Sequence, residues 1–239
     1  MSTMTSKGEQ TRAYWILVIP AVLIYFAVLA FPTVFSIFLS LTNFNGGKVF
    51  GAKMDFVGLK HYIRMFQDQY FWISLKNNFL IILVSVFGQI PIGFALAYIL
   101  FRRIVRYEGF FQTMTYLPNT ISTIVIGVMF QSFFSPYGAF TQLGKMIDPA
   151  FENTFMLNPN MAMIPVLLVI LWMYTGYYMI IFLANMQKID QSVIEACRID
   201  GANEFQTLRY LILPALSGVI VTTAILAISG SLKSFDLIF

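Results

Sequence analysis

The sequence predicts an all-α protein that crosses a membrane several times as a helical bundle. Its 239 residues are 58% hydrophobic and only 11% charged, with a mean hydropathy of +0.75, whereas soluble domains carry about 25% charged residues. Five stretches long enough for the roughly 20 apolar residues of a membrane helix contain no charge. These stretches are residues 13–47, 77–101, 109–144, 153–187 and 210–232. They are apolar throughout rather than alternating, which predicts helices instead of barrel strands.

The predicted organisation is a cytoplasmic tail over residues 1–12 and a membrane domain over residues 13–239. The first apolar stretch is nearly twice as long as the core of a signal peptide and lacks an A-x-A cleavage site, so we expect it to be retained. The alternative, a cleaved leader, would remove one span and reverse the orientation of the others. The expected spans lie at residues 13–41, 77–101, 111–134, 161–186 and 211–232.

Basic residues in the short loops predict the orientation, because cytoplasmic loops carry more lysine and arginine than external ones. The densest cluster is the nine-residue loop RRIVRYEGF, at residues 102–110. We therefore expect the N-terminus and residues 187–210 in the cytoplasm. Residues 42–76, which include Lys48 and Lys53, and residues 135–160 would then lie outside.

Few residues are suited to metal binding. The single cysteine, Cys197, excludes an internal disulfide, and the single histidine, His61, has no ligand-forming neighbour. The helical spacing around His61 predicts a surface histidine on an interfacial helix.

The aromatic run at residues 70–72 is typical of a membrane interface, with a carbohydrate-stacking surface as the alternative. The net charge of +4 suits a protein that borders anionic lipid, and nucleic acid is not an expected partner.

Uncharged polar residues interrupt the spans: Gln89, Asn119, Thr120, Ser122, Gln131, Tyr174, Thr175 and Asn185. Each could join two helices by a hydrogen bond. Together they favour a pathway for a neutral, hydroxyl-rich solute, because ion and proton pathways need ionisable groups at depth. The candidate contacts with such a solute are Asn119, Gln131, Tyr174 and Tyr177.

The charged stretch KIDQSVIEACRIDGANEFQTLRYLILP predicts two short helices between the last two spans. Ser192 and Glu195 fit a capping box at the start of an amphipathic first helix. Gly201 would end that helix, because glycine adopts the left-handed conformation at little cost. Asn203 and Gln206 predict a second N-cap, with a helix that continues until the proline of LILP interrupts it. The polar face of this stretch carries both acidic and basic residues rather than mainly basic ones. This favours docking in a partner's groove over lying on a lipid surface.

This stretch resembles the EAA loop in the inner-membrane subunits of binding-protein-dependent ABC importers. The family pattern is E-A-A, three residues, G, nine residues and I-x-L-P, and this chain matches its spacing. Cysteine replaces the third alanine and leucine replaces isoleucine, both conservatively, and Asp190 stands where relatives often carry proline. The residues that the resemblance assigns to the ATPase-coupling loop are Glu195, Ala196, Cys197, Asp200, Gly201, Ala202, Leu213 and Pro214.

The resemblance extends to the segments FVGLKHYIRMFQDQYFWISLKN, YLPNTIS and LWMYTGYYMIIFLANMQKI. They are similar to the first permease subunit of the sugar-importer branch, which moves sugars, oligosaccharides or glycerol phosphates. The resemblance implies the type I permease fold with six core spans, of which five are recognised here, so the last span is expected to be missing. It also implies a bacterial cytoplasmic membrane location.

The implied partners are a cytoplasmic ATPase dimer, a second and distinct permease chain, and an extracytoplasmic solute-binding protein. The sequence contains no G-x-x-x-x-G-K-[ST] phosphate loop. We therefore expect a transport subunit rather than an enzyme, with no cofactor of its own and with ATP and Mg²⁺ on the ATPase. The alternatives are an ABC permease for another solute, and a secondary transporter, which would need coupling-ion sites and often shows inverted repeats.

Overall fold

The computed structural model describes residues 7–47, 54–155, 157–158 and 161–233. Residues 1–6 of the predicted tail, and the predicted outer lysines Lys48 and Lys53, lie outside the described residues. Two compact units are present, Met1–Ile73 and Ser74–Phe239. The described part is helical, apart from loops and an isolated antiparallel bridge between Thr42 and Phe56.

The first unit contains a long apolar helix and a short amphipathic one. Helix α1 (Lys7–Tyr25), a π-helical turn (Phe26–Ala30) and α2 (Phe31–Ser40) form one continuous element. Its segment Thr11–Ser40 is long and apolar enough to cross a membrane, close to the predicted span 13–41. Helix α3 (Lys60–Gln67) follows the Thr42–Phe56 bridge.

The second predicted span begins earlier than the sequence suggested. Helix α4 (Gln69–Val84), a π-helical turn (Ser85–Gln89) and α5 (Ile90–Phe101) form a 33-residue element, Gln69–Phe101. The expected start at residue 77 rested on the charge of Lys76. Instead, the Asp68 carboxylate accepts a hydrogen bond of 2.8 Å from the Tyr70 backbone, which supports a helix start at residue 69. At 1.5 Å per residue the element is about 50 Å long and extends beyond the lipid core.

The third predicted span, 111–134, is bent rather than one straight helix. Helix α6 (Glu108–Thr120) and α7 (Thr123–Phe133) meet at a bend of 94°. Ile121 and Ser122 have extended backbones, with ψ angles of 142° and 131°. Two features explain the break. Pro118 removes a hydrogen bond from the last turn of α6, and β-branched residues on both sides of Ser122 favour extended backbone.

The remaining helices are α8 (Ala139–Ile147), α9 (Met163–Met186), α10 (Gln191–Ile199), α11 (Glu204–Thr207), α12 (Leu213–Ala215) and α13 (Ser217–Ser231). Helix α9 matches the predicted span 161–186. A π-helical turn, Leu208–Ile212, joins α11 to α12, and α13 follows at a bend of 66°. The predicted interruption at Pro214 is therefore wrong: the helix passes through the proline and breaks at Leu216. In the described residues, three helices meet the length and hydropathy of a membrane span, or up to five with both bent pairs.

Each of the three π-helical turns found in the described part of the chain directly precedes a proline at the second position of the next helix. The prolines are Pro32, Pro91 and Pro214. In each case the residue before the proline donates its N–H to the carbonyl five residues earlier, as Ile90 does to Ser85. Proline lacks an N–H and its ring clashes with the preceding turn. The wider turn accommodates that ring, so the helices continue where a regular α-helix would kink sharply.

The core of the second unit is built around α9, which packs against α5 and α6. Met179, Phe182 and Met186 of α9 are fully buried. Glycines allow the close approach: a Cβ at Gly93 of α5 would lie 2.9 Å from the Tyr178 Cβ, and one at Gly176 would collide with the Thr115 carbonyl. Small residues at helix interfaces serve this purpose in membrane proteins.

Gly176→Ala is expected to destabilise the second unit by about 1–3 kcal/mol, because the added methyl group would force α6 away from α9. The measurement is thermal unfolding of the purified chain in detergent. Gly127→Ala is the matched control, since nothing lies within 4 Å of a Cβ at that position in α7. Equal unfolding temperatures for the two variants would contradict this account of the α6–α9 contact.

Candidate functional site

The first helix of the loop between α9 and α13 begins at Asp190 rather than at the predicted Ser192–Glu195 capping box. The Asp190 side chain accepts a hydrogen bond of 2.9 Å from the Ser192 backbone N–H. Asp190 has an extended backbone directly before α10, so its carboxylate reaches the free amides of the first turn. This hydrogen bond lowers the pKa of the Asp190 carboxyl. The predicted box is wrong because Ser192 already lies inside the helix.

The turn between the two loop helices forms as the sequence predicts. Gly201 has a φ of +83°, in the left-handed region. The Ala202 N–H donates to the Cys197 carbonyl at 2.9 Å, and the Gly201 N–H donates to the Arg198 carbonyl at 3.0 Å. These are the two hydrogen bonds of a Schellman motif, which satisfies the last carbonyls of a helix.

The predicted cap of the second loop helix is confirmed. The Gln206 N–H donates to Asn203 Oδ1 at 2.8 Å, and the Asn203 N–H donates to Gln206 Oε1 at 2.8 Å. Both helices of the loop are therefore capped at their starts, and the turn between them is closed by backbone hydrogen bonds. The loop has a defined conformation instead of being a flexible connection.

The assigned coupling residues fall into two groups. Cys197, Asp200, Gly201 and Ala202 line one open groove of about 400 Å³, together with Tyr210 and its neighbours. Glu195 and Ala196 are exposed on α10, and Leu213 and Pro214 lie in α12, so these four do not line the groove.

Large apolar side chains of this loop are unevenly buried. Ile194 is 3% exposed and fixes α10 to the unit, whereas Ile199 and Phe205 are 86% and 71% exposed. Isolated exposed apolar residues are ordinary on a protein surface. Two such residues on either side of a rigid turn, together with a groove, favour a surface that another protein covers.

Glu204 connects the loop to the end of α5. One of its oxygens accepts a hydrogen bond from the Arg102 guanidinium, and the other accepts from the Tyr98 hydroxyl at 3.2 Å. Arg198 lies 3.8 Å from the same carboxylate. The Arg102 side chain is only 15% exposed, so this ion pair is partly shielded from water. Sequence reasoning missed this cluster, because Glu204 and Arg102 are 102 residues apart.

A cleft of about 220 Å³ lies inside the second unit, between the helical elements that contain Gln89, Tyr174 and Ser231. The cleft is lined by apolar side chains and by uncharged polar groups, and Lys233 adds a positive charge. The lining residues are Ile81, Ser85, Gln89, Thr123, Ile170, Tyr174, Tyr178, Ala227, Gly230, Ser231 and Lys233. A largely apolar cleft with a few polar groups is the usual form of a small-molecule site.

Hydrogen bonds orient the polar groups of this cleft. Gln89 is 1% exposed, and its amide Nε2 donates to the Ile170 carbonyl at 2.7 Å. The Ser231 hydroxyl donates to the Ala227 carbonyl at 2.7 Å and lies 3.1 Å from the Ser85 hydroxyl. These hydrogen bonds link the π-helical turn Ser85–Gln89 to α9 and to α13 beside the cleft.

Of the four candidate solute contacts, only Tyr174 lines the cleft. Tyr178 lines it in place of Tyr177, which is half-buried against the core. Asn119 is half-buried at the end of α6, and Gln131 is exposed on α7. Two other polar residues bond within their own helix: Thr175 to the Leu171 carbonyl and Asn185 to the Ile181 carbonyl.

Comparisons with known proteins agree on one family. Residues 89–238 match the family described as binding-protein-dependent transport system inner membrane component. The lactose transport system permease protein of Rhizobium radiobacter is 31% identical, with 98% of this chain and 79% of that protein covered. A probable starch degradation products transport system permease protein of Thermoanaerobacterium thermosulfurigenes is 27% identical, with 93% and 74% covered.

A solved structure shares the fold. It is a bacterial alginate ABC transporter in complex with an alginate pentasaccharide-bound periplasmic protein. The matching chain gives a TM-score of 0.79 at 19% identity, with 98% of this chain and 77% of that chain covered.

The Glu204–Arg102 pair is expected to show a coupling energy of about 1 kcal/mol that weakens with added salt, because the carboxylate is partly exposed. The measurement is a double-mutant cycle with Glu204→Gln and Arg102→Gln, read by thermal unfolding in detergent. Glu195→Gln, an exposed carboxylate of the same loop, is the control and is expected to be additive with Arg102→Gln. Additivity for Glu204 as well would show that the pair contributes nothing.

Proposed function

The chain belongs to the family of binding-protein-dependent transport system inner membrane components, and we propose that it forms a carbohydrate pathway in an ATP-driven importer. It is thus a membrane-embedded transport subunit rather than an enzyme. The observation that carries the proposal is the capped, two-helix loop with its left-handed Gly201. The relatives of this chain include permeases that are named for lactose and for starch degradation products.

The proposed partners are those that such an importer needs. A cytoplasmic ATPase dimer would bind the loop 187–210, a second permease chain would complete the pathway, and an extracytoplasmic binding protein would deliver the solute. The alginate transporter that shares the fold was solved with a periplasmic protein, which supports the last of these. The proposed location is the cytoplasmic membrane, with the N-terminus in the cytoplasm.

The exposed apolar residues suit the loop to ATPase binding. Ile199 and Phe205 flank the turn at Gly201 and are largely exposed. Burial of such side chains in a partner's cleft contributes about 1.5–3 kcal/mol each. Because α10 and α11 are capped, the loop needs little ordering when it docks.

Contacts within the second unit connect the loop 187–210 to the cleft. Glu204 holds the loop to Arg102 at the end of α5. Helix α5 follows directly on the π-helical turn that carries Ser85 and Gln89 of the cleft. We propose that movement of the docked loop shifts α5 and thereby changes access to the cleft, a coupling between two sites through packed elements.

The cleft chemistry supports a carbohydrate as the solute. Hydroxyl and amide groups can bond sugar hydroxyls, and the rings of Tyr174 and Tyr178 offer apolar surfaces for the faces of a sugar ring. The positive charge of Lys233 extends the candidate solutes to acidic sugars and glycerol phosphates. A permease for a different solute remains the second candidate, and the solute assay below distinguishes it.

The importer proposal is tested by purifying the tagged chain in mild detergent and identifying its companions by mass spectrometry. We expect an ATPase with a phosphate loop and a second multi-span protein, and uptake in reconstituted vesicles that requires ATP, binding protein and a carbohydrate. Uptake by the isolated chain without ATP would overturn the proposal in favour of a secondary transporter. ATP-dependent uptake of amino acids or peptides but not sugars would overturn the solute assignment alone.

Gly201→Asp is expected to reduce uptake by at least about tenfold while the chain still inserts in the membrane. A side chain in the left-handed region costs about 1–2 kcal/mol and would displace the loop from its docked position. Gly46→Asp is the matched control, because Gly46 has a similar φ of +96° with nothing within 4 Å of a Cβ. Uptake and membrane content are measured together, and normal uptake by Gly201→Asp would contradict the role given to this turn.

A further inference from the structure

Helix α3 lies in the chain between the first two candidate membrane spans. The segments Thr11–Ser40 and Gln69–Phe101 are consecutive candidate spans, so the chain between them stays on one side of the membrane. Two hydrogen bonds hold α3 to the end of the first span. The Tyr62 hydroxyl lies 2.7 Å from the Ser40 hydroxyl, and His61 Nε2 lies 3.0 Å from the Thr42 carbonyl. These bonds attach α3 to the end of the first candidate span.

The other end of α3 is fixed to the start of α4. The Trp72 indole N–H donates to the Phe66 carbonyl at 2.9 Å. The rings of Phe66, Phe71 and Trp72 are in mutual contact, with centroids 5.5–6.2 Å apart. Tryptophan at a span end is typical of the interface. Both ends of α3 are therefore attached to the ends of candidate spans, and the extended backbone of Asp68 separates α3 from α4.

The outer face of α3 combines apolar and basic side chains. Leu59, Ile63 and Phe66 are 63%, 59% and 54% exposed and follow the i, i+4, i+7 spacing of one helix face. Lys60 and Arg64 are exposed one turn apart beside this row. An open groove runs between them, lined by Val57, Leu59, Lys60, Ile63, Arg64 and Gln67.

Neighbouring acidic groups do not neutralise these cations. The Asp55 carboxylate accepts a hydrogen bond from the Asn43 side-chain amide, and the Asp68 carboxylate accepts from the Tyr70 backbone N–H. Within the described residues, neither Lys60 nor Arg64 takes part in an ion pair. Both positive charges are therefore available to an anion outside the chain.

We propose that α3 is an in-plane membrane helix whose outer face binds anionic phospholipid. Leu59, Ile63 and Phe66 insert among the upper acyl chains, and Lys60 and Arg64 bind head-group phosphates. Apolar side chains at this depth are stabilised by lipid, and basic residues are attracted to anionic head groups. A soluble protein would have to displace those head groups to cover this face, which favours lipid over the extracytoplasmic binding protein.

Site-specific quenching tests this proposal. The sequence has one cysteine, so Cys197→Ala provides a background in which Ile63→Cys carries a single environment-sensitive fluorophore. Met65→Cys, on the half-buried side of α3, is the matched control. The full chain, purified with its accompanying subunits, is reconstituted in phosphatidylcholine vesicles that contain spin-labelled phosphatidylcholine or spin-labelled phosphatidylglycerol.

We expect strong quenching of the Ile63 probe, weaker quenching of the Met65 probe, and stronger quenching by phosphatidylglycerol than by phosphatidylcholine. Lys60→Gln and Arg64→Gln should each lower the relative affinity for phosphatidylglycerol about fivefold. Lys145→Gln, an exposed cation on α8, should leave that affinity unchanged.

Three results would overturn the proposal. Equal quenching at positions 63 and 65 would show that the outer face does not contact lipid. Equal quenching by the two lipids, unaffected by the charge substitutions, would exclude head-group recognition. Loss of quenching when the solute-loaded binding protein is added would assign the face to a protein partner. None of these results depends on which solute is transported.

Discussion

A polypeptide in lipid has to satisfy the hydrogen bonds of its own backbone, and a regular helix is the simplest way to do this. The fold of this chain depends on the places where its sequence does not allow a regular helix. Before Pro32, Pro91 and Pro214 the chain widens into π-helical turns and continues. At Ile121–Ser122 it leaves the helix altogether and bends by 94°. Free backbone groups at such a break need a polar environment. Thr123, the first residue after it, lines the cleft, whose lining includes the polar side chains of Ser85 and Gln89.

The same irregularities place the polar chemistry of the interior. Ser85 and Gln89 are the two ends of one π-helical turn, and both line the cleft. Gln89 also donates to a main-chain carbonyl of α9, at Ile170, so the turn is tied to the central helix. A widened turn thus accommodates Pro91 and carries the cleft's polar groups. The same turn thus combines the backbone geometry that Pro91 requires with two polar groups of the cleft.

The turn at Gly201 and the Asn203–Gln206 cap were predictable from the sequence, and contacts distant in the chain were not. The turn at Gly201 follows from rules that involve neighbouring residues only. The Glu204–Arg102 pair depends on how α5 and α11 approach each other, which no short window of sequence contains. Tyr177 and Tyr178 differ by one position but by about 100° around the helix. Which of them lines the cleft is therefore decided by the packing of α9 and not by residue type.

The rigidity of the loop 187–210 determines what it can transmit. Asp190 caps α10, backbone hydrogen bonds close the turn at Gly201, and Asn203 and Gln206 cap α11. A flexible loop would absorb a displacement at its surface through its own dihedral angles. A loop fixed at these points moves as a body, and its Glu204 is bonded to the end of α5. Force applied at the proposed docking surface would then reach α5, which follows directly on the π-helical turn that lines the cleft.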